Sequence, residues 1–245
     1  MVSFPSFSKN DNILMKTKFF LAFCLLFSQF YASAQTACSN YYPLKEGAKL
    51  GYTYYNDKGK VESSSLTEVK TVKQTDDGGM EAQVMVTIMD KKGEEQMKGE
   101  YLILCDGEQL YMDVTSMLNP ALKTSFQNLE VTVDGDALVI PTSMSVGQQL
   151  PDASSNIKAG SSGISILNMT IQITDRQVLD RAVIQTAAGS FDCFKLTQTT
   201  SVNMVFVKSF QTLEYYAQGI GVVRSETYDK KGNLESYMEL TTYEP

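Results

Sequence analysis

From Met80 to Ile88 the chain alternates apolar and polar residues one for one, with Met80, Ala82, Val84, Val86 and Ile88 on one side. A period of two is the mark of a β-strand with one buried face. The same period recurs at Met169, Ile171 and Ile173, and again at Leu234, Met238 and Leu240 near the C-terminus. Thr, Val, Ile, Tyr and Phe fill these runs, as a pleated and half-buried surface favours.

Short turn signals separate the runs. Asn56-Asp57-Lys58-Gly59, Asp90-Lys91-Lys92-Gly93 and Asp229-Lys230-Lys231-Gly232 close on glycine, which predicts type I turns followed by a left-handed residue at Gly59, Gly93 and Gly232. Asp134-Gly135 lies between Val131-Thr132-Val133 and Leu138-Val139-Ile140 and predicts a two-residue hairpin at Gly135. Ala188-Gly189 before Phe191 predicts another at Gly189. Connections this short make neighbouring strands antiparallel, because parallel strands need long crossovers.

Two stretches depart from the alternation. Met117, Leu118, Ala121 and Leu122 have helical spacing, interrupted by Pro120, and predict one short or broken helix between Asp113 and Asn128. The run from Pro151 to Gly163 is rich in Ser, Gly and Asn and predicts a flexible loop. The fold class is therefore all-β, an antiparallel meander forming a strongly curved sheet or incomplete barrel with one short helix. One domain over residues 35–245 is expected, since all-β chains of ~200 residues are often single domains.

The N-terminus carries a different pattern. Lys16 and Lys18 precede an apolar run from Phe19 to Phe30, and Ala32-Ser33-Ala34 offers small residues for cleavage. This reads as a secretory signal over residues 1–34, with translation starting at Met1 or at Met15 and the exported chain starting at Gln35. The apolar run falls well short of the ~20 residues of a membrane-spanning helix. Cys38 invites a lipid-anchor reading, but Gln35-Thr36-Ala37 lacks the aliphatic residue such signals carry three before the cysteine. Cys24 fits less well, because Phe23 directly precedes it.

Charge and composition then remove whole classes of function. Over residues 35–245 there are 18 basic and 27 acidic residues, a net charge of −9. The basic residues are scattered rather than gathered on one face, so nucleic acid is not an expected partner. The chain has no His. Histidine-dependent triads, Cys-His proteases, most zinc hydrolases and haem-His sites are excluded with it. No cofactor or metal motif is present.

Three cysteines follow the cleavage site, Cys38, Cys105 and Cys193. An oxidising compartment permits one bridge among three pairings and leaves one thiol over. Cys193, in an apolar strand after a tight turn, is the expected member of the pair.

The remaining candidates have ordinary readings. Gly160-Ser161-Ser162-Gly163 lacks the spacing of a serine nucleophile elbow and any activating histidine. Asp76-Asp77-Gly78-Gly79 and Asp134-Gly135-Asp136 lack calcium-loop spacing and read as turns. Carboxylate pairs can hydrolyse glycosides without histidine, yet Glu226, Glu235 and Glu239 fall on polar strand positions where solvation explains them. Tyr41, Tyr42, Tyr52, Tyr54, Tyr55, Tyr215 and Tyr216 gather toward the two ends of the exported chain. They suit either a ligand groove or cross-strand packing, and packing is the expected role.

Several segments resemble the TapB-type proteins, an exported Bacteroidota family related to a β-barrel-like domain without an assigned activity. They are Cys38 to Gly47, Asp57 to Lys60, Leu138 to Pro141, Val146 to Pro151, Ala188 to Lys195 and Gly221 to Tyr228. The resemblance implies Gram-negative export and a single curved sheet, treats the three cysteines as family positions, and brings no catalytic residues.

These observations predict a non-enzymatic envelope or secreted module, binding or structural, in the periplasm or outside the cell. The sequence does not identify its partner; a hydrophobic ligand and another envelope protein are the candidates. A half-open barrel carrying a hydrophobic ligand is the first alternative, and a carboxylate hydrolase the second. The Met117–Leu122 helix offers a plug for the concave face, so a filled interior is expected.

Overall fold

The computed structural model describes residues 38–112, 130–162, 164–204 and 206–245. Thirteen strands account for most of them: β1 (Lys49–Asn56), β2 (Val61–Gln74), β3 (Met80–Asp90), β4 (Glu95–Cys105), β5 (Gln109–Met112), β6 (Glu130–Gly135), β7 (Leu138–Pro141), β8 (Ala153–Ser161), β9 (Ile164–Thr186), β10 (Gly189–Asn203), β11 (Val207–Ala217), β12 (Gly221–Tyr228) and β13 (Leu234–Glu244). All pair antiparallel in one sheet, in the order β6-β8-β9-β10-β11-β12-β13-β1-β2-β3-β4-β5-β7. The alternating apolar positions turn inward, Met80, Ala82, Val84, Val86 and Ile88 on β3 and Met169, Ile171 and Ile173 on β9 all being buried.

The hydrogen-bonded ladder does not close into a barrel: β6 and β7 are its two free edges. These edges are nevertheless consecutive in the chain, joined only by Asp136 and Ala137. Three Cα steps span at most about 11 Å, so the sheet must curl until its edges nearly meet. Arg176 on β9 then stitches the seam. Its Nη1 donates to the carbonyl of Val139 on β7 at 3.0 Å and to that of Pro151 at 2.7 Å.

This topology corrects the hairpin expected at Asp134-Gly135. β6 pairs with β8 and β7 with β5, so the two runs flanking Gly135 lie on opposite edges of the sheet. A Cβ on Gly135 would stand 2.3 Å from the Ser154 carbonyl oxygen, so glycine is needed there for close backbone approach.

The loop expected over 151–163 is also corrected, because Ala153–Ser161 is strand β8. Its inward residues, Ala153, Ser155, Ile157 and Ala159, do alternate, but three of the four are small. Small inward residues let a neighbouring layer approach closely and give little hydrophobic contrast in the sequence. The helix expected at Asp113–Asn128 lies outside the described residues.

The other predicted turns have the backbone their glycines allow. Gly59, Gly93 and Gly232 have φ of 71°, 83° and 82°. Each donates its amide to the residue three before it, Asn56, Asp90 or Asp229. Gly189 opens β10 in the β9–β10 hairpin, paired with Thr186.

Candidate functional site

The curled sheet encloses a cavity of about 1010 Å³ on its concave side. The described residues line this cavity, and the Met117–Leu122 helix expected as its plug lies outside them. Strand polarity gives the cavity a floor and a mouth. Residues 38–48 cross the end of the sheet where β4 finishes and β12 begins, burying Cys38, Tyr41, Tyr42, Leu44 and Ala48. Gly219 donates its amide to the Asn40 carbonyl at 2.7 Å, and Asn40 Nδ2 donates to that of Thr142 at 2.8 Å.

A disulfide between Cys38 and Cys105 fastens this floor to the end of β4. Cys193 is the free and buried thiol, contrary to the expectation that it forms the bridge. The hairpin turn does place Cys193 inward on β10, but the N-terminal segment passes beside β4 instead. Burial pushes the Cys193 thiol up to about 11, so it is no thiolate near neutral pH. The bridge also occupies the sulfur that a lipid thioether at Cys38 would require.

The walls interleave apolar side chains with hydroxyls. Ile171 and Ile173 of β9, Leu138 of β7 and Met112 of β5 face Leu50, Val86, Ile88 and Met238. Ser63, Ser65 and Thr67 of β2 and Thr200 and Thr212 of β10 and β11 add hydroxyls. Alternation carries these side chains inward, because each strand presents every second residue to the concave face.

Three of the tyrosines noted in the sequence, Tyr42, Tyr52 and Tyr54, gather with Tyr101. The Tyr42 and Tyr101 hydroxyls are 3.2 Å apart, Tyr52 donates to the Val222 carbonyl at 3.1 Å, and Tyr54 meets Ser65 Oγ at 3.3 Å. Burial raises the pKa of all four of these phenols, that of Tyr101 to about 12, so they remain neutral donors. Tyr41 packs edge-on against Tyr216 at 6.3 Å and Phe194 at 6.4 Å. Tyr55 stacks on Tyr237 at 4.7 Å, and Tyr215 turns away to donate to Glu226 at 3.4 Å.

A buried polar chain runs from the floor to the seam. Glu214 of β11 is 4% exposed; it accepts from Tyr216 at 2.8 Å and from Gln198 Nε2 at 3.2 Å. Gln198 Oε1 in turn accepts from Arg176 Nε at 3.2 Å. Desolvation raises the Glu214 pKa, opposed by the Tyr216 hydrogen bond and by Arg176. Burial also lowers that of Arg176, and its Nη2 is the one buried side-chain nitrogen or oxygen among the described residues with no hydrogen-bond partner.

Sequence reasoning missed this chain. On β11 Phe210, Thr212, Glu214 and Tyr216 face the cavity and Gln211, Leu213 and Tyr215 face away, so hydrophobicity does not distinguish the two faces. On β9 a residue at positive φ, Asp175 at 54°, and an irregular register redirect Arg176 inward.

The other candidates are accounted for locally. Asp77 accepts from the Thr75 hydroxyl, Asp136 accepts from the Ser154 amide at 3.3 Å, and Asp134 is part of β6. Ser161 ends β8 and Ser162 turns at φ 52°, while Gly163 lies outside the described residues. Glu226 and Glu239 both pair with Arg224, and Glu235 lies on the cavity wall near the β12–β13 turn. Among the described residues there is no group of three or more His, Cys, Asp or Glu able to hold a metal. No helix among them is long and apolar enough to cross a membrane.

Comparison with known proteins adds family and fold. The family model described as DUF3108-like matches residues 45–240. An exported protein of Bacteroides fragilis described as having a YmcC-like fold superposes with a TM-score of 0.72 at 23% identity, covering 85% of this chain and 100% of its own. A protein of Parabacteroides distasonis described as a lipoprotein gives 0.73 at 23% identity, covering 84% and 99%. At this identity the two establish a shared fold. No curated protein matches the chain.

Proposed function

We propose that this chain, which belongs to the DUF3108-like family, is an exported, non-catalytic binding module that holds the apolar part of an amphipathic molecule in its concave cavity. The observation that carries this is the cavity itself. At about 1010 Å³ it stands at the upper end of the range typical of small-molecule sites, with apolar side chains and hydroxyls along its walls and Gln198, Glu214 and Tyr216 converging toward the floor. A sheet serving only as a spacer would gain more from a filled core, since each unfilled volume costs packing energy.

The polar end favours binding over hydrolysis. Glycoside hydrolysis needs two carboxyls flanking one bond. Glu214 lies near the floor, whereas the other carboxylates of the wall, Glu62, Asp90 and Glu235, stand near the hairpin tips at the mouth. Glu214, Tyr216 and Gln198 instead suit a ligand's hydrogen-bonding group.

Within the family we place the chain with the TapB-type proteins, on the segments quoted above, and in the periplasm or outside the cell, as one domain released after Ala34. Intact mass of the exported protein should then correspond to a start at Gln35; a chain retaining residues before it would contradict the processing.

Titration with the apolar fluorophore N-phenyl-1-naphthylamine tests the function. Saturable binding of about one probe per chain is expected, weakened in Met238→Trp, which narrows the cavity at one wall, while its melting temperature is preserved. Absence of binding by the unaltered protein, or equal binding by a folded Met238→Trp, would overturn the reading.

A further inference from the structure

The charges around the cavity discriminate among amphiphiles. The polar chain from floor to seam carries one buried group of each sign, Glu214 and Arg176, with Gln198 between them. Gln198 Oε1 accepts from Arg176 Nε and its Nε2 donates to Glu214 Oε1, both at 3.2 Å. Carboxylate and guanidinium therefore balance across a single amide. A further charge brought to this end would leave water with no opposite charge free to meet it, and an unpaired buried charge is costly. A fatty carboxylate would bring a second anion to Glu214, and an alkylammonium a cation whose place Arg176 already fills.

The mouth offers no field of one sign either. Glu62, Asp90 and Glu235 stand on its wall with Lys208, the one cation among the described residues that line the cavity. The turns that frame it mix both signs, as Asp90-Lys91-Lys92-Gly93-Glu94 and Asp229-Lys230-Lys231 show. What the floor does offer is acceptor capacity. Glu214 Oε1 takes its bond from Gln198, and Oε2 takes one from the Tyr216 hydroxyl at 2.8 Å. A carboxylate has about four lone-pair sites, so roughly half stay open, and Glu214 lies on the cavity wall. The Tyr216 hydroxyl spends its proton on that carboxylate, so a ligand group that donates is the one that completes the site.

We infer that the cavity selects an uncharged amphiphile whose inner polar group is a hydrogen-bond donor, an alcohol or an amide N–H, with Glu214 as the specificity-determining acceptor and Arg176 as its counter-charge. This rests on the cavity being the binding site and names the chemistry of what it holds. The apolar part of such a molecule lies against Ile171, Ile173 and Leu138, and its donor reaches Glu214.

Displacement of N-phenyl-1-naphthylamine by matched decyl compounds at neutral pH tests the selection. Decanol should compete about tenfold more strongly than decyl methyl ether, which keeps the chain and the oxygen but lacks the donor proton. Partition into an apolar space alone would favour the ether. Decanoate and decylammonium should each compete about tenfold more weakly than decanol. Glu214→Gln leaves Arg176 without its counter-charge and should shift the ratio of decanoate to decylammonium affinity about tenfold toward decanoate, while Arg176→Met should shift it toward decylammonium. Because the two variants carry opposite expectations, either one decides if the other does not fold. Equal competition by decanol and its ether, competition by either charged compound as strong as that of decanol, or an unchanged ratio in a folded variant would each overturn the inference while leaving the cavity a binding site. Failure of the fluorophore itself to bind would remove the cavity as a site and this inference with it.

Discussion

Replacing Arg176 with Met tests whether the seam between the sheet edges is held as the structure indicates. The side chain is 1% exposed and makes three bonds, to the carbonyls of Val139 and Pro151 and to Gln198. Each bond from a charged donor contributes roughly 1.5–3 kcal/mol. Against this stand the cost of burying the cation and its unpartnered Nη2, both relieved by Met, whose volume partly fills the site. Removing one member of a buried charged network typically costs about 3–5 kcal/mol, and the relief places Arg176→Met near the lower end, about 3 kcal/mol.

Urea unfolding followed by circular dichroism reads this directly. With a slope of about 2–3 kcal/mol per molar, the midpoint should fall by roughly 1 M. The double variant with Glu214→Gln should lose less than the sum of the singles, because Gln at 214 no longer leaves a buried carboxylate without its cation. A midpoint shift equivalent to less than about 1 kcal/mol would show that the guanidinium does not hold the edges together.

Three further outcomes follow from the same structure. Gly135→Ala should destabilise by about 3 kcal/mol, because its Cβ would meet the Ser154 backbone. Gly232→Val, with nothing within 4 Å, should cost only the ~1 kcal/mol of an unfavourable positive φ, so equal melting temperatures for the two would refute the distinction. Replacing Cys38 and Cys105 with Ser should cost about 4 kcal/mol for a separation of 67 residues. Thiol titration of the unfolded, unreduced exported protein should find Cys193 alone; a count of three would remove the bridge. For pH, Glu214 has a folded pKa above its unfolded value, so its protonated form is favoured by folding. Stability should therefore be greater below the unfolded value of 4.5 and decline as pH rises from there through the folded pKa. Glu214→Gln should remove that decline, and an unaltered pH profile in the variant would contradict the burial of this carboxyl.

The strands with large aliphatic residues on their inward face were legible in the sequence, as β3 and β9 illustrate. So were the turns in which an aspartate or asparagine and a glycine supply both the acceptor and the left-handed backbone. β8 was obscured because Ala153, Ser155 and Ala159 are inward but small, and composition alone resembles a loop. Gly135 was misread because close approach of a distant strand and a tight turn select the same residue. The polar chain of Arg176, Gln198 and Glu214 needed the register between β9, β10 and β11. Its residues are far apart in sequence, and each looks like a solvated strand position until the sheet is curled. Tyr42, Tyr52 and Tyr54 were visible as composition, but only the fold brings them together with Tyr101 of β4.

The central claim is that the cavity is a site for an amphipathic molecule, and the composition of protein taken from its native host tests it most directly. After gentle purification, solvent extraction and mass spectrometry should recover about one amphiphile per chain. That molecule should rebind after removal and be displaced by N-phenyl-1-naphthylamine. Protein that carries no such molecule, and takes none up from a total lipid extract of the host while remaining folded, would contradict the account.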